Sequence, residues 1–153
     1  MSHPPPESWF PLPKLRRRAL IIKFRGTSEA FASDSKAVLC AREIYAKGLH
    51  KSYQGSHFAF LTTPGQHSED KKDHEMNLEF ITALGAIMGG DDHPVVKMLG
   101  KSCADHKAII DRFGRYPYRN AALGRESTAE EQAWLDDYDA LPGFAKSQMK
   151  KPH

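Results

Sequence analysis

The sequence predicts an all-α fold, an antiparallel helical bundle or a short superhelix. Three observations carry that expectation. Apolar residues recur at helical spacing in several stretches, Ser/Thr/Asp caps and glycine stops punctuate those stretches, and no run of alternating β-branched residues competes with them. At 153 residues, 40% hydrophobic and 27% charged, the chain has the composition of one globular domain able to bury a sizeable core.

Residues 1–13 hold five prolines and form a Pro-rich segment, because Pro4-Pro5-Pro6 forbids a helix. A single helical domain is expected over residues 14–144, followed by a basic tail over 145–153. From Leu15 to Phe24, apolar residues interleave with arginines at helical spacing, and Arg25-Gly26-Thr27 turns the chain. Ser33 is placed as an N-cap with Asp34 against the helix dipole. Ala37, Val38, Ala41, Ile44 and Tyr45 then make one apolar stripe, and Gly48 is a suitable stop. Length does not separate helix from strand between Gly55 and Thr63; the helical neighbours favour a short helix, closed by Pro64-Gly65.

Ser68 is the next expected cap, with Glu69 and Asp70 in the first turn and Leu78, Ile81, Leu84 and Met88 continuing the stripe to Gly89-Gly90. A further long helix opens near Asp92 with Pro94 early, as prolines prefer. Val95, Met98, Leu99, Cys103, His106, Ile109, Ile110 and Phe113 are expected on its apolar face, with Gly100 a point where it could bend or break, and Gly114 and Pro117 end it. Ser127-x-x-Glu130 and Thr128-x-x-Glu131 are overlapping capping boxes that open a last helix bearing Trp134, Leu135 and Tyr138.

The net charge of +3 is unevenly spread. Residues 14–25 carry six basic groups and no acid, the tail adds three, and residues 26–145 hold 13 basic against 18 acidic side chains. An acidic body argues against a broad nucleic-acid face, which needs a cationic stripe on the folded part. No apolar run approaches the roughly 18 residues that span a bilayer. The opening residues lack the charged start and apolar segment of a signal peptide, so the cytoplasm is the expected compartment. Cys40 and Cys103 lie in apolar helical patterns and are read as buried free thiols, with a disulfide left open.

The chemistry concentrates between His106 and Glu131. Arg112, Arg115, Arg119 and Arg125 fall within fourteen residues around a helix-to-helix connection, with Asn120 among them. Guanidinium forks bind carboxylate or phosphate bidentately, and the capped start of the last helix offers backbone N–H groups. These five residues are therefore candidates for holding an anionic small molecule or protein partner. The competing reading is internal: Arg115, Arg119 and Arg125 tie the connection to carboxylates such as Glu69, Asp70 and Asp105. His67, Glu69 and His106 are the candidates for acid–base catalysis on a phosphate- or carboxylate-bearing substrate, in a metabolic enzyme or accessory protein. Against that, His106 on an apolar stripe suits a core histidine, and Ser68 with Glu69 suits a helix cap. No His-Glu-x-x-His or paired Cys-x-x-Cys spacing points to a metal, no glycine loop cradles a phosphate, and no cofactor is implied.

Three segments resemble domain-of-unknown-function family 924. They are Arg25-Gly26-Thr27-x-x-Ala30-Phe31-Ala32, His67-Ser68-Glu69-Asp70, and the block His106-x-x-Ile109-Ile110-x-Arg112-Phe113-Gly114-Arg115-Tyr116-Pro117-x-Arg119-Asn120 continuing to Glu131. The resemblance covers about residues 15–141 and implies a helical fold like tetratricopeptide repeats, with no established activity. The chain departs from the family pattern at Ile21-Ile22-Lys23-Phe24, which stands where an Asp-Gln-Phe-x-Arg-Asn motif is usual. The resemblance therefore implies a shortened member without the family's N-terminal helices, in which a site drawing on that motif is incomplete.

Overall fold

In the computed structural model, residue 24 and residues 26–52 and 58–149 are described. The Pro-rich segment, the helix expected from Leu15 up to Lys23, the start of the 55–63 stretch and the last residues of the tail lie outside them. The described residues form an all-α fold: α1 (Asp34–Ala46), α2 (Phe58–Gln66), α3 (Lys71–Met88), α4 (Pro94–Phe113), α5 (Ala129–Asp136) and α6 (Gly143–Lys146), with short 3-10 turns between them.

The first core lies between α1 and α4. Ala41 and Ile44 of α1, Leu61 of α2, Met76, Phe80 and Leu84 of α3, and Val96 and Leu99 of α4 are buried together. Their spacing is the helical period that places one stripe of each helix inward. Links of four and five residues join α2 to α3 and α3 to α4, so packed neighbours run back along one another. Gly89, at φ +87°, terminates α3 in a left-handed conformation that favours glycine.

Several details differ from the expectation. α2 does not stop at Pro64-Gly65 but runs through both to Gln66. Proline forfeits one intrahelical bond, and so close to the helix end that loss is confined to the last turn. The cap of α3 is Asp70, whose carboxylate accepts from the Lys72 amide at 3.0 Å, rather than Ser68. Glu69 is thereby excluded from the helix and freed to point elsewhere. α4 opens at Pro94 as expected, capped by His93, whose Nδ1 accepts from the Val95 amide, and runs unbroken through Gly100, but Met98, expected on its apolar face, is exposed. The last helix stops at Asp136, and Tyr138 begins a 3-10 turn. Cys103 is buried, but Cys40 is exposed, because it falls beside the inward stripe of Val38, Ala41 and Ile44 rather than on it.

A second core forms where the chain beyond α4 folds back. Ile109, Ile110, Tyr116, Tyr118 and Ala145 are buried there, with Phe113, Trp134, Leu135 and Phe144 packed around them. Thr128 and Glu131 complete a capping box at the start of α5.

Candidate functional site

Tyr116 is the centre of the candidate site. It follows the glycine that ends α4, is fully buried, and touches each element that bears a candidate residue. Its hydroxyl donates to the Gln66 carbonyl at the end of α2, and its amide donates to Glu69 Oε1 at 2.9 Å. Its ring stands edge-on to His106 and His74, with centroids 6.2 and 6.4 Å away. The 3-10 turn Pro117–Arg119 follows, and its three-residue period returns Arg119 over the Tyr116 ring, 4.6 Å from the centroid.

Three of the four arginines are held by carboxylates. Arg112 donates to Glu130 at 2.8 Å. Arg115 grips Glu131 through Nε and Nη2 at 2.6 and 2.7 Å, and draws the Glu131 pKa down to about 2. Arg125 donates from Nη1 and Nη2 to both oxygens of Glu69 at 2.6 and 2.9 Å. Burial raises the Glu69 pKa, but the Arg125 bonds and the Tyr116 amide outweigh it and leave it below the ordinary value. Of the other carboxylates named as partners for the cluster, Asp70 meets Arg42 and Asp105 meets Lys101.

Arg119 differs. Its side chain is only 5% exposed, with the Phe31, Tyr116 and Tyr118 ring centroids 4.7, 4.6 and 5.8 Å from the guanidinium carbon. The nearest carboxylate oxygen, on Asp34 in the first turn of α1, is 3.7 Å from Nη2, beyond hydrogen-bonding distance. Nε and Nη2 are both buried without a hydrogen-bond partner. Together they form the side-on fork of the guanidinium, the same edge that Arg42 applies to Asp73 and Arg115 to Glu131. Neighbouring Asn120 is buried and donates to Ser127 and Glu131, which ties the turn to the start of α5.

The His-Ser-Glu-Asp loop is clamped at every position. The His67 ring lies edge-on to His106 at 5.6 Å. His74 Nε2 donates to the Ser68 carbonyl at 2.9 Å, while the Ser68 hydroxyl donates to Asp73. His106 donates from Nδ1 to the Ser102 carbonyl and stacks on Phe144, 3.8 Å between centroids. Thus His67, Glu69, His106, Arg119 and Arg125 all gather around Tyr116. Phe31, Asp34, Tyr116 and Tyr118 were not singled out as site residues from the sequence. The i, i+3 spacing of Tyr116 and Arg119 is a usable signal; Asp34 reads locally as a helix-dipole acid and Phe31 as part of the 25–32 segment, and neither pattern ties them to Arg119. A shallow groove between α3 and α4, lined by residues such as Leu78, Ile81, Val96 and Gly100, includes none of these residues.

Among the described residues, no group of three or more acidic, His or Cys side chains could hold a metal ion, and no helix is long and apolar enough to cross a membrane. Residues 21–139 match the family model described as "Bacterial protein of unknown function (DUF924)". The chain belongs to DUF924. A solved structure of a protein of unknown function from Agrobacterium tumefaciens resembles this DUF924 chain with a TM-score of 0.56 and 29% sequence identity. The similarity covers 74% of this chain but 58% of that one, so the chain spans little more than half the length of its structural relative. No curated protein matches it.

Proposed function

We propose that this DUF924 chain is a helical binding module whose Arg119 fork receives an anionic ligand. One observation carries the reading: a guanidinium buried among aromatic rings keeps the Nε/Nη2 edge without an acceptor. Buried polar groups in proteins are nearly always satisfied, and an unmet charged donor is expensive. An acceptor arriving from outside the chain removes that cost. Arg115 and Arg125 support the site by fixing the connection on Glu131 and Glu69, and Asn120 secures the turn that carries Arg119. Two free thiols suit the reducing conditions of a cytoplasmic module.

Acid–base chemistry by His67, Glu69 and His106 is the second reading, favoured by the proximity of the two imidazoles beside Tyr116. Glu69 fits it less well, because three donated hydrogen bonds from Arg125 and the Tyr116 amide hold it as a carboxylate. The test is a thermal-shift screen of the full chain with small phosphates and carboxylates, beside Arg119→Lys, which keeps the charge but lacks the fork. A ligand at a hundred times its Kd adds about 2.7 kcal/mol of stability. The expected result is a raised midpoint with at least one anion that the Lys variant does not show. A midpoint indifferent to every anion would sink the proposal.

A further inference from the structure

We infer that the group received by Arg119 is a single carboxylate, carried by a small monocarboxylic acid, and not a phosphate. This rests on the anion reading above and narrows it. The fork offers two parallel N–H donors in one plane, the complement of two carboxylate oxygens. Beyond that edge, the guanidinium has the rings of Phe31, Tyr116 and Tyr118 around it. A phosphate brings three strong acceptor oxygens and close to two negative charges. Its surplus oxygens and second charge exceed what one two-donor fork can satisfy, at a cost the single fork does not offset. Nor are the neighbouring arginines available to share a second charge, since Arg112, Arg115 and Arg125 are already taken by Glu130, Glu131 and Glu69.

Asp34 supports the same conclusion. Its carboxylate already stands 3.7 Å from Arg119 Nη2, so the chain itself presents one carboxylate to this cation. An incoming monoanion meets one like charge there; a dianion meets it with about twice the repulsion. Asp34 is therefore a built-in competitor for the fork, and Asp34→Asn tightens binding of a small carboxylate, by roughly tenfold for a difference of one modest charge interaction.

The experiment follows the Arg119 side-chain Nε–H signal in the NMR spectrum of the full chain, titrated separately with sodium propionate and inorganic phosphate at constant ionic strength. Propionate is expected to move that signal in a saturable way, phosphate to leave it in place, and Asp34→Asn to shift the propionate midpoint to lower concentration. Phosphate binding as well as or better than propionate overturns the carboxylate assignment while leaving an anion site standing. A signal that neither anion moves, in the wild type and in Asp34→Asn, overturns both and leaves Arg119 as a structural cation in an aromatic box. An unchanged propionate midpoint in Asp34→Asn overturns the competitor role.

Discussion

Glu69 accepts hydrogen bonds from Tyr116, 47 positions away, and Arg125, 56 positions away, and so joins the α2–α3 loop to the chain beyond α4. Both partners of the ion pair are about a quarter exposed, which places its strength between a surface pair and a buried one. Glu69→Gln keeps the shape and removes the charge that two guanidinium nitrogens and an amide address. The expected loss is about 2 kcal/mol, read as a lower urea midpoint at unchanged m-value. An Arg125→Gln partner in a double-mutant cycle should recover part of it, and strict additivity would show the pair to be idle. The special character of the His-Ser-Glu-Asp loop was legible in the sequence, but the role of Glu69 was not. An acid two residues before a helix start looks like a dipole partner until the long-range arginine is in place. In the same way, the arginine cluster announced itself by spacing, whereas the burial of Arg119 depends on Phe31, far away in the chain.

At the scale of elements, α2 and α3 approach closely because position 65 has no side chain. A Cβ there would lie 2.5 Å from Asn77 Oδ1, and Asn77 is itself buried and donates to the Thr62 carbonyl at 2.9 Å. Moving the Asn77 amide aside would break that bond, so the contact is not one that a flexible tip can relieve. Gly65→Ala should cost about 2 kcal/mol through overpacking. Gly65→Ala combined with Asn77→Ala should cost less than the two single changes added together, and calorimetry of the four proteins decides it. Pro-Gly reads as a stop in sequence, and here the pair lies within the final helical turn as a packing device. The apolar stripes of α1, α3 and α4 were legible because each repeats over several turns and needs no knowledge of the partner. The short α2 and the choice among Ser68, Glu69 and Asp70 as cap depended on tertiary contacts, which periodicity does not encode. Thr128 was legible because its capping box closes within four residues.

For the whole molecule, the carboxylates and histidines set the response to acid. The folded pKa of Glu131 is about 2 against an ordinary 4.5, because Arg115 bonds its charged form, and Glu69 is also lowered. A group with a depressed folded pKa stabilises the fold fully above its unfolded pKa, and that contribution fades as pH falls toward the folded value. For Glu131 the window therefore runs from about pH 4.5 down to about 2. Burial lowers the pKa of His74 and His50 from 6.5. Each is kept neutral in the fold and takes a proton more readily when unfolded, so acid removes stability from about pH 6.5 downward in the same direction. The thermal midpoint should consequently be level above pH 7, decline below about 6.5 as the histidines charge, and fall more steeply below about 4.5 as the arginine-bound carboxylates are lost. Glu131→Gln should lower the midpoint at pH 7, where the Arg115 pair is intact, by the equivalent of about 3 kcal/mol. It should also flatten the limb below pH 4.5, because the group that titrates there is gone. Scans of both proteins from pH 8 to 3 make the comparison. Parallel curves below pH 4.5, or a midpoint that rises on acidification, would show that the Arg115–Glu131 and Arg125–Glu69 pairs are not what fastens the connection between α4 and α5 to the rest of the fold.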